Sequence, residues 1–176
     1  GIIESLSVFL KRTGYEFAGW STSVNGAKVY NDGEEVKNLT AEPNETVTLY
    51  AVWSAVEYTI TYDLDGTLES GAANPQTYTI EDSFTLAKAT KEGYNFAGWT
   101  VSATVGSWAE GTEFKNEGTG LSIAAGQYGN VTLTAQWTTI EYTISYNLNG
   151  GALETGVKNP TTYNIESEDI TLNNPT

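Results

Sequence analysis

Hydrophobic and polar residues alternate along most of this chain, and β-branched and aromatic side chains carry the alternation. Tyr58, Ile60 and Tyr62 fall on one side of an extended segment and Thr59, Thr61 and Asp63 on the other, a period of two that predicts a β-strand. The same pattern predicts strands over residues 77–80, 47–53 and 131–137, the last two each ending in a tryptophan, Trp53 and Trp137. Between them stand turn formers: Asp65-Gly66, Asn149-Gly150-Gly151, Asn25-Gly26, Asp32-Gly33 and Tyr128-Gly129-Asn130, residues that tolerate a left-handed backbone. Pro75 and Pro160 each follow an Asn and precede a strand, where a missing amide donor does no harm. Only the stretch from Ile2 to Leu10 offers a helical face, through Ile2, Leu6, Phe9 and Leu10. Its alignment with Asp82 to Leu86 argues for a strand there instead.

The pattern is repeated. Gly93-Tyr94-Asn95-Phe96-Ala97-Gly98-Trp99 restates Gly14-Tyr15-Glu16-Phe17-Ala18-Gly19-Trp20, and Glu141-Tyr142-Thr143-Ile144-Ser145-Tyr146 restates Glu57-Tyr58-Thr59-Ile60-Thr61-Tyr62. A period of about 80 residues exceeds a solenoid repeat and is long enough for a small domain. The copies divide the chain into the later part of one module (1–53), a complete module (57–137) and the opening part of another (141–176). The junctions, Ser54-Ala55-Val56 and Thr138-Thr139-Ile140, hold no Gly or Pro run, so neighbouring modules are expected to be coupled more stiffly than by a Gly/Ser linker. Two arrangements of the ends are open. In one, the folding unit is permuted, with residues 1–88 and 89–176 each complete and Glu57 to Asp63 paired with strands from residues 15–53. In the other, favoured by the matching junctions after Trp53 and Trp137, the partial modules of two molecules complete each other head to tail.

Composition narrows the chemistry. A module of this size buries only about 60–65% of its unfolded surface, and the 5 Trp, 11 Tyr and 5 Phe supply large core side chains without metals or disulfides. The absence of Cys and His removes thiol nucleophiles, Cys/His zinc sites and imidazole bases. A formal net charge of −14 repels nucleic acid and anionic membrane surfaces, and no stretch approaches the roughly 20 apolar residues of a membrane span. The absence of Met predicts an internal segment with targeting and anchoring signals outside it.

The opening Tyr58-Thr59-Ile60-Thr61-Tyr62-Asp63-Leu64-Asp65-Gly66, the central Gly93 to Trp99 and the closing Leu133-Thr134-Ala135-Gln136-Trp137 resemble the Listeria–Bacteroides repeat, the internalin B-repeat-like module. The third copy, Tyr146-Asn147-Leu148-Asn149-Gly150-Gly151 followed by Asn159-Pro160-Thr161-Thr162-Tyr163, resembles its opening more closely still. The resemblance covers nearly the whole chain. It implies a mostly β or α+β architecture of tandem small β-grasp-like, ubiquitin-related modules with little helix, in bacterial cell-surface or secreted proteins and adhesins. Its signature residues here are Tyr15, Phe17, Gly19, Trp20 and Trp53, then Tyr94, Phe96, Gly98, Trp99 and Trp137. Tyr and Phe two apart share a strand face, and the following Gly permits a turn or a close backbone approach beside the Trp, so these residues are read as core. Asp63, Asp65 and Thr67 depart from the Asn, Asn and Gly more usual in the family.

Two stretches could carry chemistry. Asp63 and Asp65, within Ile60 to Leu68, resemble the nucleophile and acid/base pair of haloacid dehalogenase phosphatases, which use Mg²⁺. The matching copy holds Asn147 and Asn149, doubly wound helices have no sequence here, and no downstream phosphate-binding motif is present. Asp63, Asp65 and Glu69 also lack EF-hand spacing. Trp108, without a counterpart in residues 21–52, is the candidate for a sugar-stacking ring if exposed. The expectation is a noncatalytic structural and adhesive module acting as stalk, spacer or protein-binding surface, with no cofactor, no metal, no nucleic acid and no membrane insertion. Its partners would be a host or neighbouring-cell protein or a glycan, with head-to-tail self-association as a further mode. The alternative is a carbohydrate-binding module built on exposed aromatic rings.

Overall fold

The computed structural model describes residues 10–176, so the helical or extended reading of Ile2 to Leu10 lies almost wholly outside the described residues. Every regular element among them is a strand. Residues 10–55 hold β1 (Tyr15–Ser21) and β2 (Tyr50–Ala55), paired antiparallel. The complete copy follows with β3 (Tyr58–Asp63), β4 (Thr67–Leu68), β5 (Thr77–Tyr78), β6 (Phe84–Thr85), β7 (Ala89–Thr90), β8 (Tyr94–Thr104), β9 (Glu113–Lys115), β10 (Ser122–Ile123) and β11 (Val131–Thr139). The last segment holds β12 (Tyr142–Thr143) and β13 (Thr162–Tyr163).

The complete copy is organised on a five-stranded sheet of order β5-β3-β11-β8-β9. Its central pair, β3 and β11, runs parallel, and the remaining pairs are antiparallel. Of the two pairings open from sequence, β3 is bonded to β5 and β11, and neither β1 nor β2 is its partner. Alternation sends Ile60, Trp99, Val101, Val131, Leu133 and Ala135 to one face, all buried. The two-stranded ladders β4–β7 and β6–β10 bring Leu86, Leu121 and Ile123 over that face. The opposite face is polar: Thr134 Oγ1 donates to Ser102 Oγ at 2.8 Å, and Ser102 Oγ donates to the Thr132 carbonyl at 3.2 Å. One dry and one wet face is the arrangement that alternating sequence favours.

A bulge sets the phase of β8. The β11 register runs from Gln136 opposite Gly98 to Trp137 opposite Phe96, leaving Ala97 unpaired. Strict alternation would put Phe96 and Trp99 on opposite faces, and the extra residue returns them to the same one. Their rings meet edge to face at 5.8 Å, and Phe96 meets Trp137 at 5.5 Å. The same irregularity lies between Phe17 and Gly19, with Phe17 5.2 Å from Trp20 and 5.7 Å from Trp53. Gly98 has φ +134°, and a Cβ there would stand 2.1 Å from the Phe114 carbonyl oxygen, so only glycine lets β9 approach.

Two strands are shorter than their alternation predicts. Residues 47–53 become strand only at Tyr50, because β1 ends opposite it at Ser21 and residues 10–55 contain no counterpart of β3 to hold Val47 to Leu49. Thr79 and Ile80 leave β5 for a turn closed by the Asp82 amide on the Thr79 carbonyl, 3.0 Å.

Trp99 is 1% exposed, so Trp99→Ala is expected to cost about 3–5 kcal/mol through the cavity it leaves, a large share of a small module's stability. Thermal melts followed by circular dichroism check this, and a variant melting within a degree or two of the parent would refute the central place of this ring.

Candidate functional site

The residues singled out from sequence separate into an aromatic interior and a set of exposed acids. In the interior, Trp99 Nε1 donates to the Ala87 carbonyl at 2.9 Å, tying the sheet to the covering segment. Tyr62 meets Trp99 edge to face at 5.5 Å while its hydroxyl donates to the Pro75 carbonyl at 2.7 Å. Trp137 lies over Gly66 and donates from Nε1 to the Leu64 carbonyl at 3.2 Å. Each buried polar atom thus finds an acceptor, which an aromatic core requires of its Trp and Tyr. In residues 10–55, Trp20 Nε1 has no hydrogen-bond partner among the described residues. Tyr15 and Tyr94, read as core residues, instead sit at the ends of β1 and β8, where their hydroxyls leave the module.

Trp108 is not a surface ring. It is 7% exposed, meets Tyr78 at 5.8 Å and Phe114 at 6.1 Å, and donates from Nε1 to the Tyr78 hydroxyl at 2.8 Å. Tyr78 in turn donates to the Gly129 carbonyl. Buried among these rings and with the indole nitrogen satisfied inside, it offers no open face to a sugar. The position has no counterpart in residues 21–52 because that loop takes a different course, and nothing in the sequence distinguished an extra core ring from an exposed one.

Asp63 and Asp65 are both exposed, Asp63 ending β3 opposite Thr134 and Asp65 standing in the turn that follows. Asp65 adopts φ +44°, and Asn149, its counterpart, φ +48°. Asp and Asn are the non-glycine residues that enter the left-handed region most readily, so the backbone explains the exchange of one for the other. Asp65 pairs with Lys91 Nζ at 2.7 Å, with the carboxylate side chain 79% exposed; the contact raises the Lys91 pKa. Among the described residues no group of three or more Asp or Glu is placed to hold a metal ion. A shallow groove on β8 and β9 is lined by Gly98, Thr100, Glu113, Lys115 and Gln136.

These features define a class: an all-strand chain of repeated segments, its complete copy closed over a tryptophan core. The sequence model of the Listeria-Bacteroides repeat domain matches residues 3–52 and 58–136, and the chain belongs to that family. Over 153 residues, 81% of this chain and 16% of the relative, it is 33% identical to the "Putative Gly-rich membrane protein" of Evansella cellulosilytica. Over 129 residues, 72% of this chain and 20% of the relative, it is 31% identical to Internalin H of Listeria monocytogenes. The chain therefore spans a fifth or less of the length of these curated relatives. No solved structure matches it.

Two predictions follow from this chemistry. Replacing both Asp63 and Asp65 by Asn should leave the melting temperature close to that of the parent, because an exposed ion pair adds little to stability, with or without Mg²⁺; a loss of phosphatase activity in that variant would contradict the turn role. Burial pushes the Tyr62 and Tyr78 phenols above their ordinary range. Raised pKa values in the folded state make their contribution to stability complete below pH about 10 and progressively lost above it. In a spectrophotometric titration these two phenols should ionise only as the tryptophan fluorescence signal of folding disappears, whereas exposed tyrosines ionise first.

Proposed function

We propose that the chain is a noncatalytic structural and adhesive segment of a bacterial cell-surface or secreted protein, its modules serving as stalk, spacer or protein-binding surface. The observation that carries this reading is the use of the large aromatic rings. Trp99, Trp108, Trp137, Phe96 and Tyr78 are committed to the interior and to one another, and a module that spends these rings on its own core works by its shape and its number. Membership in the Listeria-Bacteroides repeat family supports the reading, as do the names of an internalin and a membrane protein among its relatives. No helix of the described residues is long and apolar enough to cross a membrane.

The module itself is a β-grasp with strand ladders in place of a helix. The order β5-β3-β11-β8-β9, with its first and last strands parallel at the centre, supports this, and the β4–β7 and β6–β10 ladders take the covering role. Partners of such a surface are a host or neighbouring-cell protein or a glycan approaching the dispersed acidic exterior. A second copy of the chain is a further candidate, its β12 and β13 meeting the edge of β2.

Displayed between a membrane anchor and an epitope tag on a bacterial surface, the chain should raise the height of the tag, and two chains in tandem should raise it further, as read by fluorescence axial localisation. Specific glycan-array binding, or turnover of a chromogenic phosphate ester with Mg²⁺, would overturn the reading.

A further inference from the structure

The same contact joins successive modules at both junctions, although the side chains around it differ. At the first, Gly14 lies against Ile80 so closely that a Cβ on the glycine would be 2.6 Å from Ile80 Cδ1, and the Tyr15 hydroxyl donates to Glu81 Oε1 at 2.9 Å. At the second, a Cβ on Gly93 would be 2.6 Å from Ile165 Cδ1, and the Tyr94 hydroxyl donates to Glu166 Oε1 at 2.8 Å. Both glycines hold a left-handed backbone, φ +80° and +79°. Each glycine carbonyl accepts the amide of the following junction, from Val56 at 2.9 Å and from Ile140 at 2.9 Å. A cation covers each tyrosine ring, Arg12 at 4.0 Å and Lys91 at 4.4 Å.

The receiving side is equally repeated. Ile80-Glu81 and Ile165-Glu166 are the central residues of two turns, closed by the Asp82 amide on the Thr79 carbonyl and the Ser167 amide on the Asn164 carbonyl, each 3.0 Å. Residues 79 and 164, and 82 and 167, differ in type, yet the turns hold the isoleucine and glutamate in the same relation to the preceding Gly-Tyr.

We infer that Gly-Tyr at the start of the long strand and Ile-Glu on the turn that follows β5 and β13 form an inter-module clasp, which fixes the orientation of each module on the next and makes a longer array a stiff rod. The partner this surface takes is a following copy of the same module. A heterologous contact repeated with one geometry does not close on itself and propagates as an open, helical line. Glycine is required on the first side because a side chain there would occupy the isoleucine's place and strain the backbone. The phenol–carboxylate bond adds direction, since a charged acceptor strengthens and orients it. Van der Waals contact of Ile with bare backbone supplies the remainder. This clasp would hold whatever the array carries, so it goes beyond the scaffold reading and does not depend on it.

The test uses the absence of Cys from the chain. Spin labels at Thr22→Cys and Glu110→Cys straddle the first junction, and labels at Glu110→Cys and Lys158→Cys straddle the second. Pulsed electron paramagnetic resonance should give one narrow distance distribution for each pair. Combining Tyr15→Phe with Glu81→Ala should about double the width at the first junction, toward that of a flexible tether, with unchanged circular dichroism; Gly14→Val should do the same. Glu166→Ala should widen the second junction alone. Distributions already broad in the parent chain, or narrow ones in the Tyr15→Phe, Glu81→Ala variant, overturn the clasp; no response to Glu166→Ala overturns its repetition. Glycan binding would defeat the scaffold reading while leaving these widths unchanged.

Discussion

The module depends on one packing event: Trp99, carried into the interior by a bulged strand and tied by its indole nitrogen to the Ala87 carbonyl. The bulge at Ala97 brings Phe96 round to the same face, and Phe96 then links Trp99 to Trp137 through two edge-to-face contacts. Such contacts add about 0.5–1.5 kcal/mol each beyond the area they bury, which matters where a core of this size has little surplus. Without the glycine after the bulge, β9 could not come within hydrogen-bonding range of β8, and Phe114 would lose its place against Trp108.

The partial modules show what that interior needs. In residues 10–55 the bulge, the glycine and the Phe17–Trp20 contact form without a parallel neighbour strand, but β2 begins three residues late for its pattern. In residues 141–176 the opening strands pair through Tyr142 and Tyr163, stacked at 5.3 Å, while Tyr163, Ile170 and Leu172 remain exposed at 41%, 37% and 55%. Tyr78, the counterpart of Tyr163, is 2% exposed. Local pairing is thus written into each segment, and burial depends on strands β8 and β11 that arrive later in the chain.

Acidic residues take no part in this interior. Asp63 ends β3 and Asp65 marks the turn after it, Asp65 and Asn149 sharing a left-handed backbone, and like charge on the exterior opposes close approach of modules except at a defined contact. Two of the acids, Glu81 and Glu166, make that contact, each accepting from a tyrosine of the preceding module. Dispersed charge and a specific clasp are compatible because the bond is to a neutral phenol and involves no ion pair between modules.

The periodicity of hydrophobic residues was sufficient to place β3, β11 and the sheet face that Ile60, Val131 and Leu133 bury, because a period of two depends only on backbone geometry. The repeat of Gly-Tyr-x-Phe-Ala-Gly-Trp likewise disclosed a module and its family, since near-identity at a fixed offset needs no structure to be seen. Tertiary structure decided the rest. The bulge at Ala97 breaks the period that made the strand legible, so the common side of Phe96 and Trp99 could not be read from spacing. Trp108 has the same composition signal whether it stacks on a ligand or on Tyr78; only the course of residues 105–130, with β9 and β10, buries it. Tyr15 and Tyr94 sit in a motif that reads as core, and their partners, Glu81 and Glu166, lie 66 and 72 residues away, a separation at which contact is settled by how one module lands on the next.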